Sequence, residues 1–96
     1  MSSDYRVADF VSDFISEELR LKHIFLVTGA GIMHLTDGLA KNKKIVSVAL
    51  HHEQSCSMAA DAYSKINNEF SVSMYSTGPA ATNAVTGLAG AYQDSV

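Results

Sequence analysis

The stretch HIFLVTGAG, residues 23–31, decides the fold. Residues 23–28 form a short continuous apolar run with β-branched members. It stops at Gly29-Ala30-Gly31, and such a run predicts a strand buried on both faces. On its amino-terminal side, residues 4–20 (DYRVADFVSDFISEELR) place Val7, Phe10, Val11, Phe14 and Ile15 at i, i+3, i+4, i+7, i+8, with Leu19 behind them. That spacing predicts an amphipathic helix, capped by Ser3 or Asp4.

Beyond the glycines the alternation continues. IMHLTDGLAK (32–41) reads as a helix with Ile32, Leu35 and Leu39 on one side, and IVSVAL (45–50) as a second strand. Residues 53–66 read as a helix with Met58, Ala59, Ala62, Tyr63 and Ile66 on one face, and FSVSMYS (70–76) as a third strand. Pro79 suits the first turn of a final helix through AATNAVTGLAGAYQD. The order αβαβαβα predicts a three-layer αβα fold on a parallel sheet with right-handed crossovers. Three strands make a narrow sheet with an uncovered edge. The final helix stops at QDSV, where another strand is expected, so residues 1–96 read as one domain that is cut short.

Composition narrows the class. Hydrophobic residues are 47% and charged residues 18% of the chain, a globular balance rather than disorder. The net charge of −3 and the lack of a Lys/Arg stripe argue against a nucleic-acid partner. Apolar runs are strand-length, so no membrane span is expected, and the amino terminus lacks a signal-peptide pattern. A single cysteine, Cys56, forms no internal disulfide and points to a cytoplasmic location.

Function is expected where parallel strands end, because ligands collect at that edge. Three loops converge there: TGAG (28–31), HHEQ (51–54) and STGPAATN (76–83), each opening a helix with unpaired N–H groups. The first is a poor dinucleotide fingerprint, since His34 stands where a third glycine is needed. HHEQ is a poor metal site, because adjacent His51 and His52 point to opposite sides of an extended backbone. Glu53 alone is an ordinary favourable charge in a first helical turn. Its neighbours Ser55, Ser57, Ala59 and Ala60 are small, however, and leave room for something large beside the carboxylate. Cys56 reads as a small buried hydrophobe rather than a nucleophile.

Together these residues resemble the N-terminal, pyrimidine-binding domain of thiamine diphosphate enzymes of the acetolactate synthase type. HIFLVTGAG resembles the family's first strand and glycine loop. HHEQSCSMAADAYSK is similar to its R-H-E-Q-x-A-x-x-A-A-x-G-Y-A-R stretch, and STGPAATNAVTGLAGAYQDSV to S-G-P-G-A-T-N-x-x-T-G-x-x-x-A-x-x-D-S-x. The resemblance implies a carboligase or decarboxylase acting on a 2-keto acid such as pyruvate, or an aldehyde. It implies that Glu53 bonds a ring nitrogen of the cofactor's aminopyrimidine and shifts it to the imino tautomer that generates the ylid. It further implies that Gly78 and Pro79 help wall the pyrimidine pocket, that the cofactor-binding loop of Gly29 and Gly31 faces the reacting end of the cofactor, that Thr82 and Asn83 order their loop, and that Gln54 and His52 support Glu53. The final helix would then pack against a partner subunit in a homodimer or homotetramer.

The chain departs from the pattern in three ways. Thr28-Gly29-Ala30-Gly31 stands where the family has P-G-G, and Ala80 replaces the middle glycine of G-P-G. The domain that holds the diphosphate through Mg²⁺, with its G-D-G…N motif, is absent, so this chain alone is expected to be inactive. The resemblance leaves the substrate and a requirement for FAD open. The competing reading, from a different class, is a non-catalytic remnant or dimerising module that associates through its open strand edge.

Overall fold

The computed structural model describes residues 4–96. Its elements are α1 (Val7–Asp13), prolonged by a π-helical segment (Phe14–Glu18), then β1 (His23–Leu26), α2 (Met33–Lys41), β2 (Val46–Ala49), α3 (Glu53–Asn67), β3 (Ser73–Met74), α4 (Pro79–Asn83) and α5 (Val85–Gln93). A 3₁₀ turn, Ala30–Ile32, leads into α2. The three strands form one parallel sheet in the order β2-β1-β3, with His23 opposite Val46 and Phe25 opposite Ser73. The predicted α/β alternation is therefore present.

β1 is central because it alone supplies apolar side chains to both faces. Ile24 and Leu26 are buried with Ile15, Leu21, Leu39 and Ile45 in the main core, on the side of α1 and α2. Phe25 points to the opposite face, where its ring meets Tyr63 of α3 edge-on at 5.7 Å. His23 Nδ1 lies 3.2 Å from the Tyr63 hydroxyl, closing that side of the sheet. β2 is apolar in composition yet largely exposed. As an edge strand it keeps only the preceding Ile45 in the core, and Val46 is 55% exposed.

The helix faces also differ from expectation. On α1, Ala8, Ser12 and Ile15 are buried, whereas Val7, Phe10 and Phe14 face solvent. Helix–helix approach explains this: Gly38 of α2 lies so close that an added Cβ would stand 2.9 Å from the Ala8 carbonyl oxygen. Only small side chains fit that crossing, and the bulky stripe is turned outward. The first cap differs too. Arg6 is the N-cap residue, its main-chain N–H donating to Asp9 Oδ2 at 3.0 Å. Asp4 precedes that cap, and Ser3 lies outside the described residues.

α1 ends in a widened turn, with the Leu19 N–H donating to the Phe14 carbonyl and the Leu21 N–H to the Ile15 carbonyl, each at 3.0 Å. Arg20 closes it in the left-handed region (φ 56°), a conformation that costs a non-glycine residue about 1 kcal/mol. The turn drops Leu21, 1% exposed, into the core just before β1.

On α3 the buried residues are Cys56, Ser57 and Ala60, not Met58 or Ile66, which is 83% exposed. The final helix is broken in two at Ala84. Thr82 Oγ1 donates to the Pro79 carbonyl at 2.7 Å, and the Ala84 N–H bonds Ala81 rather than continuing the α pattern.

Candidate functional site at the strand ends

A sheet ordered β2-β1-β3 reverses its winding at β1, so the crevice beyond the carboxyl ends of β1 and β3 is a topological switch point. The loops after these two strands meet there. The Gly31 N–H donates to Ser76 Oγ at 3.2 Å. A Cβ on Gly29 would stand 2.7 Å from Ser76 Cβ, and one on Gly31 would stand 2.6 Å from Thr77 Cγ2. Both glycines are needed for the loops to touch. Thr28 and Thr36 face each other across 3.4 Å between hydroxyl oxygens, and the loop borders a shallow cavity of about 290 Å³ with Met33.

Gly78 follows directly, with φ +69° and no atom within 4 Å of a Cβ placed on it. The left-handed backbone there favours glycine, while the space in front of it is open. Pro79 then starts α4, where its missing N–H costs nothing.

The third loop enters from β2. His52 is the N-cap of α3, its Nδ1 accepting from the Gln54 N–H at 3.1 Å. This fixes the tautomer: Nδ1 is the acceptor. Glu53 opens the helix, half-buried, where the unpaired N–H groups favour a carboxylate. Its carboxylate has no hydrogen bond or ion pair among the described residues. Glu53 acts electrostatically on two neighbours. The Cys56 thiol is pushed up by burial and then by Glu53. The Tyr75 hydroxyl is also pushed up, chiefly by burial, with Glu53 adding a smaller push.

The structure thus joins Gly29 and Gly31 to the segment that begins Ser76-Thr77-Gly78-Pro79, and sets Glu53 on the helix that crosses over β1 and β3. It shows no bond between Gln54 and Glu53; the Gln54 main chain serves the His52 cap instead. Thr82 bonds within its own helix, and Asn83 is exposed. The sequence marks the loop of Ser76 and Thr77 but not their contact with the glycine loop, and it gives no sign of Tyr75, whose hydroxyl donates to Ser73 Oγ beside α3. An apolar groove of about 410 Å³ lies elsewhere, between α3, β3 and α5. It is lined by Ser57 and Tyr75 but not by Glu53.

Residues 5–96 match the family model described as thiamine pyrophosphate enzyme, N-terminal TPP binding domain. The chain is 44% identical over 80 residues to the acetolactate synthase large subunit of Cyanidium caldarium, covering 80% of this chain and 14% of that protein. It is 40% identical over 80 residues to acetolactate synthase of Mycobacterium leprae (83% of this chain, 13% of that one). It is 38% identical over 80 residues to the acetolactate synthase large subunit of Lactococcus lactis (83% and 14%). The chain therefore spans about one seventh of the length of these relatives.

Proposed function

The chain belongs to the family of thiamine pyrophosphate enzymes, as their N-terminal TPP binding domain, and from that premise we propose that it supplies Glu53 as the activating carboxylate of an acetolactate synthase-like carboligase or decarboxylase. The proposed donor is a 2-keto acid such as pyruvate. The observation that carries the proposal is Glu53 itself: half-buried at a helix start, within electrostatic reach of Tyr75 just past β3, with a carboxylate that has no partner among the described residues.

The residues present suit the pyrimidine end of the cofactor. Gly78 offers open space, and Gly29 and Gly31 keep their loop low against Ser76 and Thr77. When bound, thiamine diphosphate supplies the carbanion chemistry. The task proposed for Glu53 is to hold and share one proton with a ring nitrogen. The N-cap bond from Gln54 to His52 would keep the start of α3, and hence Glu53, in place. Among the described residues no three His, Cys, Asp or Glu side chains stand together to hold a metal ion. The proposal gives the diphosphate and its Mg²⁺ to a separate domain, and completion of the site to a partner subunit in a homodimer or homotetramer. A cytoplasmic location belongs to the same proposal. Among the described residues no helix is long and apolar enough to cross a membrane.

The test is Glu53→Gln in an enzyme assembled from this chain and a diphosphate-binding partner. Activity should fall by roughly 10²–10⁴-fold, the range for removing a positioned acid–base group, with the fold intact. Wild-type rates in that variant would remove Glu53 from its role. The purified chain alone should not turn over pyruvate.

A further inference from the structure

A cavity of about 480 Å³ opens at the amino-terminal ends of β1 and β2. It lies on the β2 side of the sheet, across β1 from β3, and at the opposite edge from the Gly29 and Gly78 loops. Its size is that of a small-molecule site. Arg20, Lys22 and Lys44 line it, and Leu21 and Val46 give it an apolar surface. The chain carries a net charge of −3, yet four of its seven Lys and Arg residues, Arg20, Lys22, Lys43 and Lys44, stand just before β1 or β2.

Glu17 lies 3.6 Å from Lys44 and offsets one of these charges. Arg20 and Lys22 form no ion pair among the described residues. The Lys22 carbonyl accepts from the Val46 N–H at 2.7 Å, but the Lys22 N–H meets no main-chain acceptor among the described residues. Asn42 braces the two walls. Its Nδ2 donates to Ser16 Oγ at 2.9 Å and to the Ser12 carbonyl at 3.3 Å, while its Oδ1 accepts from the Lys44 N–H at 3.0 Å. Arg20 holds a left-handed backbone (φ 56°). Glycine or asparagine adopts that conformation at lower cost, so the turn alone does not account for an arginine there.

We propose that this cavity binds a phosphate monoester with an apolar body. Arg20, Lys22 and Lys44, less the charge of Glu17, leave two positive charges to meet a phosphate dianion. The Arg20 guanidinium presents a donor fork that matches phosphate oxygens, and the two lysines act as point charges. The unpaired Lys22 N–H is a further donor at the same edge. The apolar body lies against Val46, which is 55% exposed. Thiamine diphosphate is a different ligand, because its thiazolium ring is cationic and is repelled by this edge. The site is therefore independent of the cofactor reading.

The test is isothermal titration of the purified chain with phenyl phosphate. Saturable binding is expected. Inorganic phosphate, which lacks the apolar body, should bind at least about tenfold more weakly. Arg20→Asn and Lys22→Gln should each weaken phenyl phosphate by at least about tenfold through loss of a charge-assisted contact. Asparagine tolerates the left-handed backbone, so Arg20→Asn should keep or raise the thermal midpoint while it loses the ligand. That split separates a binding role from a structural one. Lys41→Gln, on α2 and paired with Asp37 at 3.3 Å rather than at the cavity, should bind as wild type. Absence of saturable binding, or wild-type affinity in both Arg20→Asn and Lys22→Gln, would overturn the proposal. Equal affinity for inorganic and phenyl phosphate would overturn the role of the apolar surface.

Discussion

The Gly31 N–H donates to Ser76 Oγ across 3.2 Å, joining two loops 45 residues apart in the chain. This bond ties the ends of β1 and β3 together at the edge where the candidate site lies. Alanine at Gly31 would meet Thr77 Cγ2 at 2.6 Å and Ser76 Oγ at 2.9 Å, and alanine at Gly29 would meet Ser76 Cβ at 2.7 Å. Each substitution should destabilise the chain by about 1–3 kcal/mol, the usual cost of overpacking, read by urea denaturation. Gly78→Ala should cost about 1–2 kcal/mol from backbone strain alone, because nothing lies within 4 Å of the new methyl.

Gly87 and Gly90 make an internal control three residues apart on α5. Gly87→Ala should be among the most damaging single changes, since the methyl runs into Ser57 and the Met58 main chain. Gly90→Ala meets nothing within 4 Å and should stabilise by about 0.5–1 kcal/mol through helix propensity. Thermal midpoints of the two variants should move in opposite directions.

The first helix should respond to pH at both extremes. Hydrogen bonds from Arg6 hold the Asp9 carboxyl well down, from 3.8 to about 2. A depressed carboxylate stabilises the folded state above its unfolded value, and the gain is lost as pH falls through about 2. The hydrogen bond from the Tyr5 hydroxyl to Asp13 at 2.7 Å raises Tyr5 from 10.0 to about 12. Its contribution is full below pH 10 and disappears as pH rises through about 12. Amide protection in residues 7–13, taken relative to the intrinsic exchange rate at each pH, should therefore fall below pH 4 and above pH 10. Tyr5→Phe should abolish the alkaline step and leave the acid step unchanged.

Cys56 is fully buried, and burial raises its thiol, with Glu53 adding a smaller push in the same direction. It should react with a thiol reagent only on unfolding, so labelling at neutral pH should be slow in buffer and rapid in denaturant. Fast labelling of the folded chain would show α3 to be open.

Element order and class were legible because periodicity and Gly/Pro punctuation report the strands and their ends directly. HIFLVTGAG read as a strand ending at a glycine turn, and β1 and its turn lie there. Which helix face is buried was less legible. At α1, Phe10 and Phe14 outweigh Ala8 in any hydrophobic pattern, yet the Ala8–Gly38 approach sets the packing. At α3, Cys56 and Ser57 take the core positions that Met58 and Ile66 were expected to fill, because a close helix neighbour at Gly87 demands small side chains. The exposure of β2 was not legible, because apolar composition carries no information on sheet order, and that order leaves it at an edge. Within the candidate site, the gathering of three loops at the strand ends was legible from the sequence. The contact between the Gly31 and Ser76 loops was not, since only the fold brings them together.

The central claim is that Glu53 and the glycines of the switch-point loops receive the aminopyrimidine of thiamine diphosphate. The most direct measurement is a ¹⁵N-NMR titration of the purified chain with thiamine diphosphate, beside the same titration of Glu53→Gln. The account predicts amide shifts confined to Gly29, Gly31, Glu53 and Gly78, with at least about tenfold weaker binding in the variant, roughly 1.4 kcal/mol. Shifts that leave these residues untouched, or that are unchanged in Glu53→Gln, would contradict it.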